Sequence, residues 1–327
     1  MIMTRTPLRI SIGGGGTDLP SYYREFGGFV ISAAINKYVY ITVNRSFFPG
    51  YFLKYSETEH VEDRRRIRHP LLREALEMHA IDTPLEIVSV ADVPAGTGLG
   101  SSGTFTVGVM HALYAHKRQS VSSEQLARNA IEIEMERLKE PTGKQDQYIA
   151  AYGGLLCQEY GQDDSVRLRP LAMDDEALKD LRDSLMLFFL GRTRSASVLL
   201  QEQSSRCESG DAQMLKSLHF TKQLGREIEQ VLESRRIYDF GPLLHEHWLS
   251  KRRRAEGMSS SAMDEIYCAA RKSGGALGGK LVGAGGSGFF LFQTRDRKRL
   301  RDAMTGMGLS EMDFSFDFDG SVVLLRN

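Results

Sequence analysis

The segment Pro94-Ala95-Gly96-Thr97-Gly98-Leu99-Gly100-Ser101-Ser102-Gly103 sets four glycines among small residues, after a strand pattern and before a helical one. With no side chains in the way, successive backbone N–H groups there can converge on one point, and the helix beyond adds its positive dipole end. Such a loop is a cradle for phosphate. It lacks the Gly-Lys-Ser/Thr ending of the Walker form. Two further glycine-rich segments lie far away in the chain: Gly13-Gly14-Gly15-Gly16-Thr17-Asp18 and Lys280-Leu281-Val282-Gly283-Ala284-Gly285-Gly286-Ser287-Gly288. The first occupies the place of a dinucleotide-binding loop. Its continuation, Asp18-Leu19-Pro20-Ser21 and then strands, argues against a Rossmann domain.

Two carboxylates stand out beside these loops. Glu134 falls late in a helical pattern, between Glu132 and Glu136, so periodicity does not choose among the three. Asp146 lies in Thr142-Gly143-Lys144-Gln145-Asp146-Gln147, where turn residues meet a new helix, and an Asp there also serves as a cap or a partner for Lys144. An enzyme using a magnesium nucleotide needs hard oxygen ligands for the metal and often a carboxylate near the acceptor hydroxyl.

The elements that must position these residues emerge from hydrophobic period. Strand patterns occupy 8–12, 29–44 and 85–91, with others at 154–159 and 165–168. Helical patterns cover 104–116 and 122–138, the second capped by Ser122. After about residue 175 comes an apolar strand, 185–190, then amphipathic helices over 195–233, 240–255 and 259–272. A glycine-dense stretch, 274–288, leads into a strand at 289–292, and the chain ends in a helix and one or two strands. No repeat or low-complexity linker appears. The expectation is an α+β fold of two domains sharing a cleft, 1–178 and 179–327.

Of the 327 residues, 41% are hydrophobic, enough for a sizeable core. Lys+Arg and Asp+Glu each number 42, which disfavours a general nucleic-acid binder. The two basic runs, Arg64-Arg65-Arg66 and Lys251-Arg252-Arg253-Arg254, read as solvated surface. Three scattered cysteines indicate neither disulfides nor zinc and suit a reducing compartment. No apolar run is long enough to span a membrane, and the N-terminus lacks a secretory h-region, so a cytoplasmic protein is expected.

Taken in order, the three glycine segments resemble the motifs of the GHMP kinases, the superfamily of galactokinase, homoserine kinase and mevalonate kinase. Pro7-Leu8-Arg9-Ile10-Ser11-Ile12 with the run to Asp18 is similar to the first motif, Pro94 to Gly103 to the second and Lys280 to Gly288 to the third. Arg5-Thr6-Pro7-Leu8-Arg9, Lys144-Gln145-Asp146-Gln147-Tyr148, Tyr152-Gly153-Gly154, Leu244-His245-Glu246-His247-Trp248 with Lys251, and Gly278-Gly279-Lys280 carry a finer resemblance, to the bacterial heptose 7-phosphate kinases. The resemblance implies a ribosomal-S5-like N-terminal domain, a ferredoxin-like C-terminal domain and a site between them. It implies an ATP- and Mg²⁺-dependent kinase acting at the anomeric hydroxyl of D-glycero-D-manno-heptose 7-phosphate, for nucleotide-heptose and surface polysaccharide synthesis. Its partners would be small molecules, not nucleic acid or membrane, and a homo-oligomer is compatible with it.

Residue by residue, the resemblance implies that Pro94, Gly96, Thr97, Gly98, Leu99, Gly100, Ser101, Ser102 and Gly103 hold the nucleotide, and that Ser102 and Glu134 ligate Mg²⁺. Asp146 is the base, or hydrogen-bond acceptor, for the attacking hydroxyl. Arg9 keeps Asp146 ionised and neutralises the transferring phosphoryl. Gly15, Gly16, Thr17 and Asp18 face the sugar, with Gly285 and Gly286 closing over it. Galactokinase has a glutamate and a histidine where Gly15 and Gly16 stand here; losing a carboxylate suits a sugar already phosphorylated at its far end. Arg192 and Arg194, at a strand-to-helix junction, are candidates for that phosphate, with Lys37, His247 and Lys251 behind them. Other readings are a fucokinase- or galactokinase-like enzyme on an unphosphorylated sugar, a non-catalytic GHMP-fold regulator, and a GHMP decarboxylase acting on a phosphorylated isoprenoid acid.

Overall fold

The computed structural model describes residues 1–191, 197–254 and 257–326. Its first sheet begins with β1 (Ile2–Gly13), whose period-two pattern sends Leu8, Ile10 and Ile12 into the core and leaves Arg9 and Ser11 on the opposite face. β2 (Gly28–Arg45) pairs antiparallel with β1 along its length. Its other edge is long enough for two partners, β5 (Leu85–Ala91) along Val39–Arg45 and β6 (Leu155–Tyr160) along Gly28–Ala33. β3 (Tyr51–Lys54) and β4 (Thr58–Val61) extend the sheet beyond β5, and β7 (Val166–Pro170) extends it beyond β6. A second, antiparallel sheet is made from β8 (Leu185–Phe189), β9 (Ala276–Leu281), β10 (Phe289–Thr294) and β11 (Ser310–Met312), in the order β11-β8-β10-β9. The last strand, β12 (Val322–Arg326), returns to pair with β1. A division at 178/179 therefore runs through a helix and leaves β12 in the first sheet.

The short helices α1 (Pro20–Phe26) and α2 (Pro70–Met78) precede the long α3 (Ser101–His116). α3 is apolar on nearly every side, as a helix enclosed by protein must be, and packs against β1 and β2. α4 (Ser123–Ile131) starts on Ser122, whose hydroxyl accepts from the Gln125 N–H. The expected helix to residue 138 does not continue as an α-helix. Residues Glu132–Arg137 form a π turn, with the Leu138 N–H donating to Ile133 O at 3.0 Å. α5 (Gln145–Tyr152) comes next, then α6 (Asp175–Ser184).

The long helix expected over 195–233 is two: α7 (Ser197–Glu208) and α8 (Ala212–Glu233). Gly210, at positive φ, ends the first, and the Asp211 carboxylate caps the second by accepting from the Met214 N–H. α9 (Phe240–Lys251), α10 (Ser261–Lys272) and α11 (Arg297–Gly306) cover the second sheet. Sequence reading missed β9 because its Gly278-Gly279 pair erases the strand pattern. Those glycines let α9 lie on the strand: a Cβ on Gly278 would stand 1.8 Å from Gly241 O. Among the described residues no helix is long and apolar enough to cross a membrane.

Candidate active site

A cavity of about 730 Å³ opens between the two sheets. One wall comes from β1, the loop after it, residues 95–102 and the start of α5. The other comes from α7, the end of α9, β9 and the third glycine segment. The second and third glycine segments touch backbone to backbone. A Cβ on Gly283 would lie 2.5 Å from Gly98 Cα, and one on Gly288 2.1 Å from Thr97 O. Glycine at these positions is thus a packing requirement between the two loops.

Arg9 reaches from the polar face of β1 to Asp146 in the first turn of α5. Its Nε donates to Oδ1 at 2.7 Å and its Nη2 to Oδ2 at 2.9 Å, a bidentate pair with Arg9 buried and Asp146 half-buried. The same arginine binds the phosphate-cradle loop: its N–H donates to Leu99 O at 2.9 Å and its Nη1 to Gly98 O. Gly100, at φ +78°, leaves little room for a side chain, since a Cβ would sit 3.0 Å from Arg9 Cγ and 3.3 Å from Asp146 Cγ. Loop, arginine and aspartate are one packed unit. Lys144, a partner considered for Asp146, instead pairs with Asp164 at 3.3 Å.

The π turn carries Glu134 inward, while Glu132 and Glu136 stay nearer the surface. Ser102 Oγ donates to Glu134 Oε2 at 2.9 Å and Gln147 Nε2 to Oε1 at 3.1 Å. Burial pushes the Glu134 carboxyl up to about 7, against those two hydrogen bonds and with the nearby Asp146 charge adding to the rise. A buried carboxylate beside a hydroxyl, with no cationic side chain paired to it among the described residues, is a donor set that fits a hard divalent ion such as Mg²⁺.

Asp18 is buried, accepting from Gly16 N–H at 3.1 Å, Gln145 N–H at 3.2 Å and Gln145 Nε2 at 3.1 Å. Burial and then the Asp146 charge raise its pKa. Gly15, Gly16 and Gly285 also line the cavity. Thr17, expected to face substrate, does not reach it: its hydroxyl is held by Gly14 O and Phe29 O, both at 2.9 Å, and pins the loop to β2. Gly286 is likewise absent from the wall, as are Pro94, Thr97, Leu99 and Gly103. Thr97 closes its own loop by donating to Pro94 O at 3.0 Å. Gly103 is where α3 meets Asp146, a Cβ there falling 2.8 Å from Asp146 Cβ. Arg192 and Arg194 lie outside the described residues.

The reading of residues 251–254 as a solvated run needs correction. Arg252 and Arg253 do face outward, but Lys251 and Arg254 are 7% and 4% exposed and line the cavity with His247. The spacing 247, 251, 254 puts them on one side of α9 and its C-terminal turn, a helical signal that a count of consecutive charges hides. Sequence reading also missed the apolar end of the cavity, where Val39, Tyr55, Leu71, Val93 and Phe105 gather. His69 stacks on Phe105 there at 4.9 Å between ring centroids, a slot suited to a flat base.

The model of the GHMP kinases N terminal domain matches residues 67–154 and that of the GHMP kinases C terminal domain residues 228–308, together just over half of the chain. The chain belongs to the GHMP kinases and is a phosphotransferase. It is 29% identical to a D-glycero-alpha-D-manno-heptose 7-phosphate kinase of Campylobacter jejuni over 98% of this chain and 97% of that one. It is 25% identical to an L-fucokinase/L-fucose-1-P guanylyltransferase of Bacteroides fragilis, over 93% of this chain but 36% of that longer protein. A D-glycero-D-manno-heptose 1-phosphate kinase structure from Bacteroides thetaiotaomicron shares the fold over the whole of both chains, with a TM-score of 0.81 at 23% identity. The galactokinase of Lactococcus lactis does so at 0.78 and 16%, over 98% and 94%.

Proposed function

We propose that this protein transfers the γ-phosphoryl of ATP to the anomeric hydroxyl of a heptose 7-phosphate, giving the 1,7-bisphosphate. The observation that carries the reaction type is the Arg9–Asp146 pair bound directly to the phosphate-cradle loop. The near full-length likeness to a heptose 7-phosphate kinase supports the substrate.

The apolar slot takes the adenine, and the N–H groups of residues 96–102 with the α3 N-terminus take the phosphates. Ser102 and Glu134 would hold Mg²⁺, which supplies charge neutralisation along the phosphate chain. Asp18 and Gln145 orient the sugar. Asp146 accepts the hydrogen bond, and then the proton, of the anomeric hydroxyl, both of its oxygens keeping a free lone pair beside the Arg9 contacts. The sugar oxygen bonds to the γ-phosphorus as the bond to the bridging oxygen breaks, and ADP leaves with that electron pair. Arg9 spans the carboxylate and the loop, so it fixes the distance between acceptor and donor, the quantity that matters most in a loose phosphoryl-transfer transition state.

The test is ADP release from Mg-ATP against heptose 7-phosphate, unphosphorylated heptose, fucose, galactose and mevalonate, with ³¹P NMR of the product. A new anomeric phosphate on the 7-phosphate is expected. Turnover confined to unphosphorylated sugars would establish instead the fucokinase- or galactokinase-like reading.

A further inference from the structure

The wall of the cavity opposite the carboxylates holds an arrangement that transfer of the γ-phosphoryl does not use. Lys251, Arg254 and Lys280 are 7%, 4% and 2% exposed, with His247 at 2%, and all four line the cavity. None has a carboxylate partner among the described residues. Lys251 Nζ donates to Leu281 O at 3.1 Å and to Gly283 O. Arg254 donates to Ser217 Oγ at 3.2 Å, Thr221 Oγ1 at 2.7 Å and Gln203 Oε1 at 3.4 Å. Lys280 has no side-chain hydrogen-bond or ion-pair partner among the described residues. The nearby acids are engaged elsewhere: Asp146 with Arg9, Glu134 with Ser102 and Gln147, Asp18 with Gln145 and the Gly16 N–H.

Three buried basic groups side by side, with no anionic partner among the described residues, are unfavourable in their charged forms. Burial first, and then one another's charges, joined by that of Arg9 at the two lysines, push Lys251 down to about 7 and Lys280 and His247 well below their usual values; burial lowers Arg254 to about 10. A ligand carrying two negative charges and several acceptor oxygens would relieve all of this, and a guanidinium with two ammonium groups matches a phosphate dianion. The position of Arg254 favours the sugar over the nucleotide. A Cβ on Gly16 would lie 3.1 Å from both Arg254 Nη1 and Gln203 Nε2, and Gly16 is two residues from Asp18, so the recess borders the acceptor subsite.

We propose that Lys251, Arg254 and Lys280 form the seat for a phosphate that the sugar substrate already carries, with His247 as a neutral hydrogen-bonding member. This rests on the sugar-kinase reading and assigns the phosphate to residues of α9, its C-terminal turn and β9. The test uses wild type, Arg254→Gln, Lys251→Met and Lys280→Met with Mg-ATP and two acceptors, heptose 7-phosphate and the same heptose unphosphorylated. Arg254→Gln and Lys251→Met are expected to raise KM for the 7-phosphate about 10-fold or more, as loss of a charge-assisted contact implies, with KM for ATP within about twofold of wild type. Preference for the phosphorylated over the unphosphorylated acceptor should fall by the same factor. Lys280→Met loses a buried amine that has no side-chain partner among the described residues, so without ligand it should melt above wild type, and added heptose 7-phosphate should raise its melting temperature less. That readout survives if Arg254→Gln, which loses contacts to Ser217 and Thr221, fails to fold. Undiminished preference in Arg254→Gln and Lys251→Met, or an undiminished thermal shift in Lys280→Met, overturns the seat and leaves the kinase reading intact. Wild-type turnover of unphosphorylated sugars alone overturns the seat together with the heptose 7-phosphate reading, and leaves a kinase of unphosphorylated sugars.

Discussion

Replacing Glu134 by glutamine should make the ligand-free protein more stable and its use of magnesium worse. The Glu134 carboxyl is 1% exposed and raised from 4.5 to about 7 chiefly by burial. That difference corresponds to about 3 kcal/mol acting against the ionised form in the folded state. The folded pKa lies above the unfolded one, so the protonated group favours folding below pH 4.5. That contribution is lost as pH rises through 7, and above 7 the folded protein carries the full penalty. Glutamine keeps the local hydrogen bonds, its carbonyl facing Gln147 Nε2 and its amide N–H₂ facing Ser102 Oγ. In EDTA at pH 8, Glu134→Gln should therefore gain up to about 3 kcal/mol in denaturant unfolding, and most of the gain should vanish by pH 5. In a parallel unfolding series at pH 8 without EDTA, Mg-ADP should stabilise wild type more than the variant, since the variant lacks the charged ligand. A gain that is equal at pH 5 and pH 8, or no gain at either, would refute the account of Glu134 as a buried carboxylate awaiting a cation.

Asp146→Asn should leave KM for ATP near wild type and lower kcat by about 10²–10⁴-fold; turnover within about twofold of wild type in steady-state assays removes Asp146 as the proton acceptor. Ser102→Ala should raise the Mg²⁺ needed for half-maximal rate, read from a magnesium titration at fixed ATP, and an unchanged midpoint moves the metal away from this hydroxyl. Gly100→Ala puts a Cβ at φ +78° against Arg9 and Asp146, so a loss of about 1–2 kcal/mol is expected together with reduced kcat/KM; a variant matching wild type in melting and kinetics would show that loop and catalytic pair are not one unit.

What the sequence made legible was whatever repeats with a short period. The alternation in β1 separates Leu8, Ile10 and Ile12 from Arg9 and Ser11, and the glycines around Leu99 announce a loop that backbone must approach. Periodicity did not select Glu134 from its neighbours, because a regular α-helix would not single it out, and only the family resemblance did; the π turn that turns it inward has no periodic signature. β9 was hidden because the glycines that admit α9 against it also remove its alternation. β12 pairs with β1 across more than three hundred residues, a partnership that no local pattern encodes.

The basic run at 251–254 shows how charge counting can mislead about a site. Four consecutive cations look like a surface because isolated buried charge is unfavourable. On a helix ending at Lys251 their directions diverge, so Arg252 and Arg253 meet water while Lys251 and Arg254 turn inward. The chain as a whole has zero formal net charge, yet its cavity is polarised, with Asp18, Glu134 and Asp146 on the first-sheet wall and Lys251, Arg254 and Lys280 on the other. Among the described residues the two sets do not neutralise each other by direct ion pairs. A magnesium ion against the acidic wall and a phosphorylated sugar against the basic one would complete both, so binding energy can come from charges the folded protein keeps apart at the expense of its own stability.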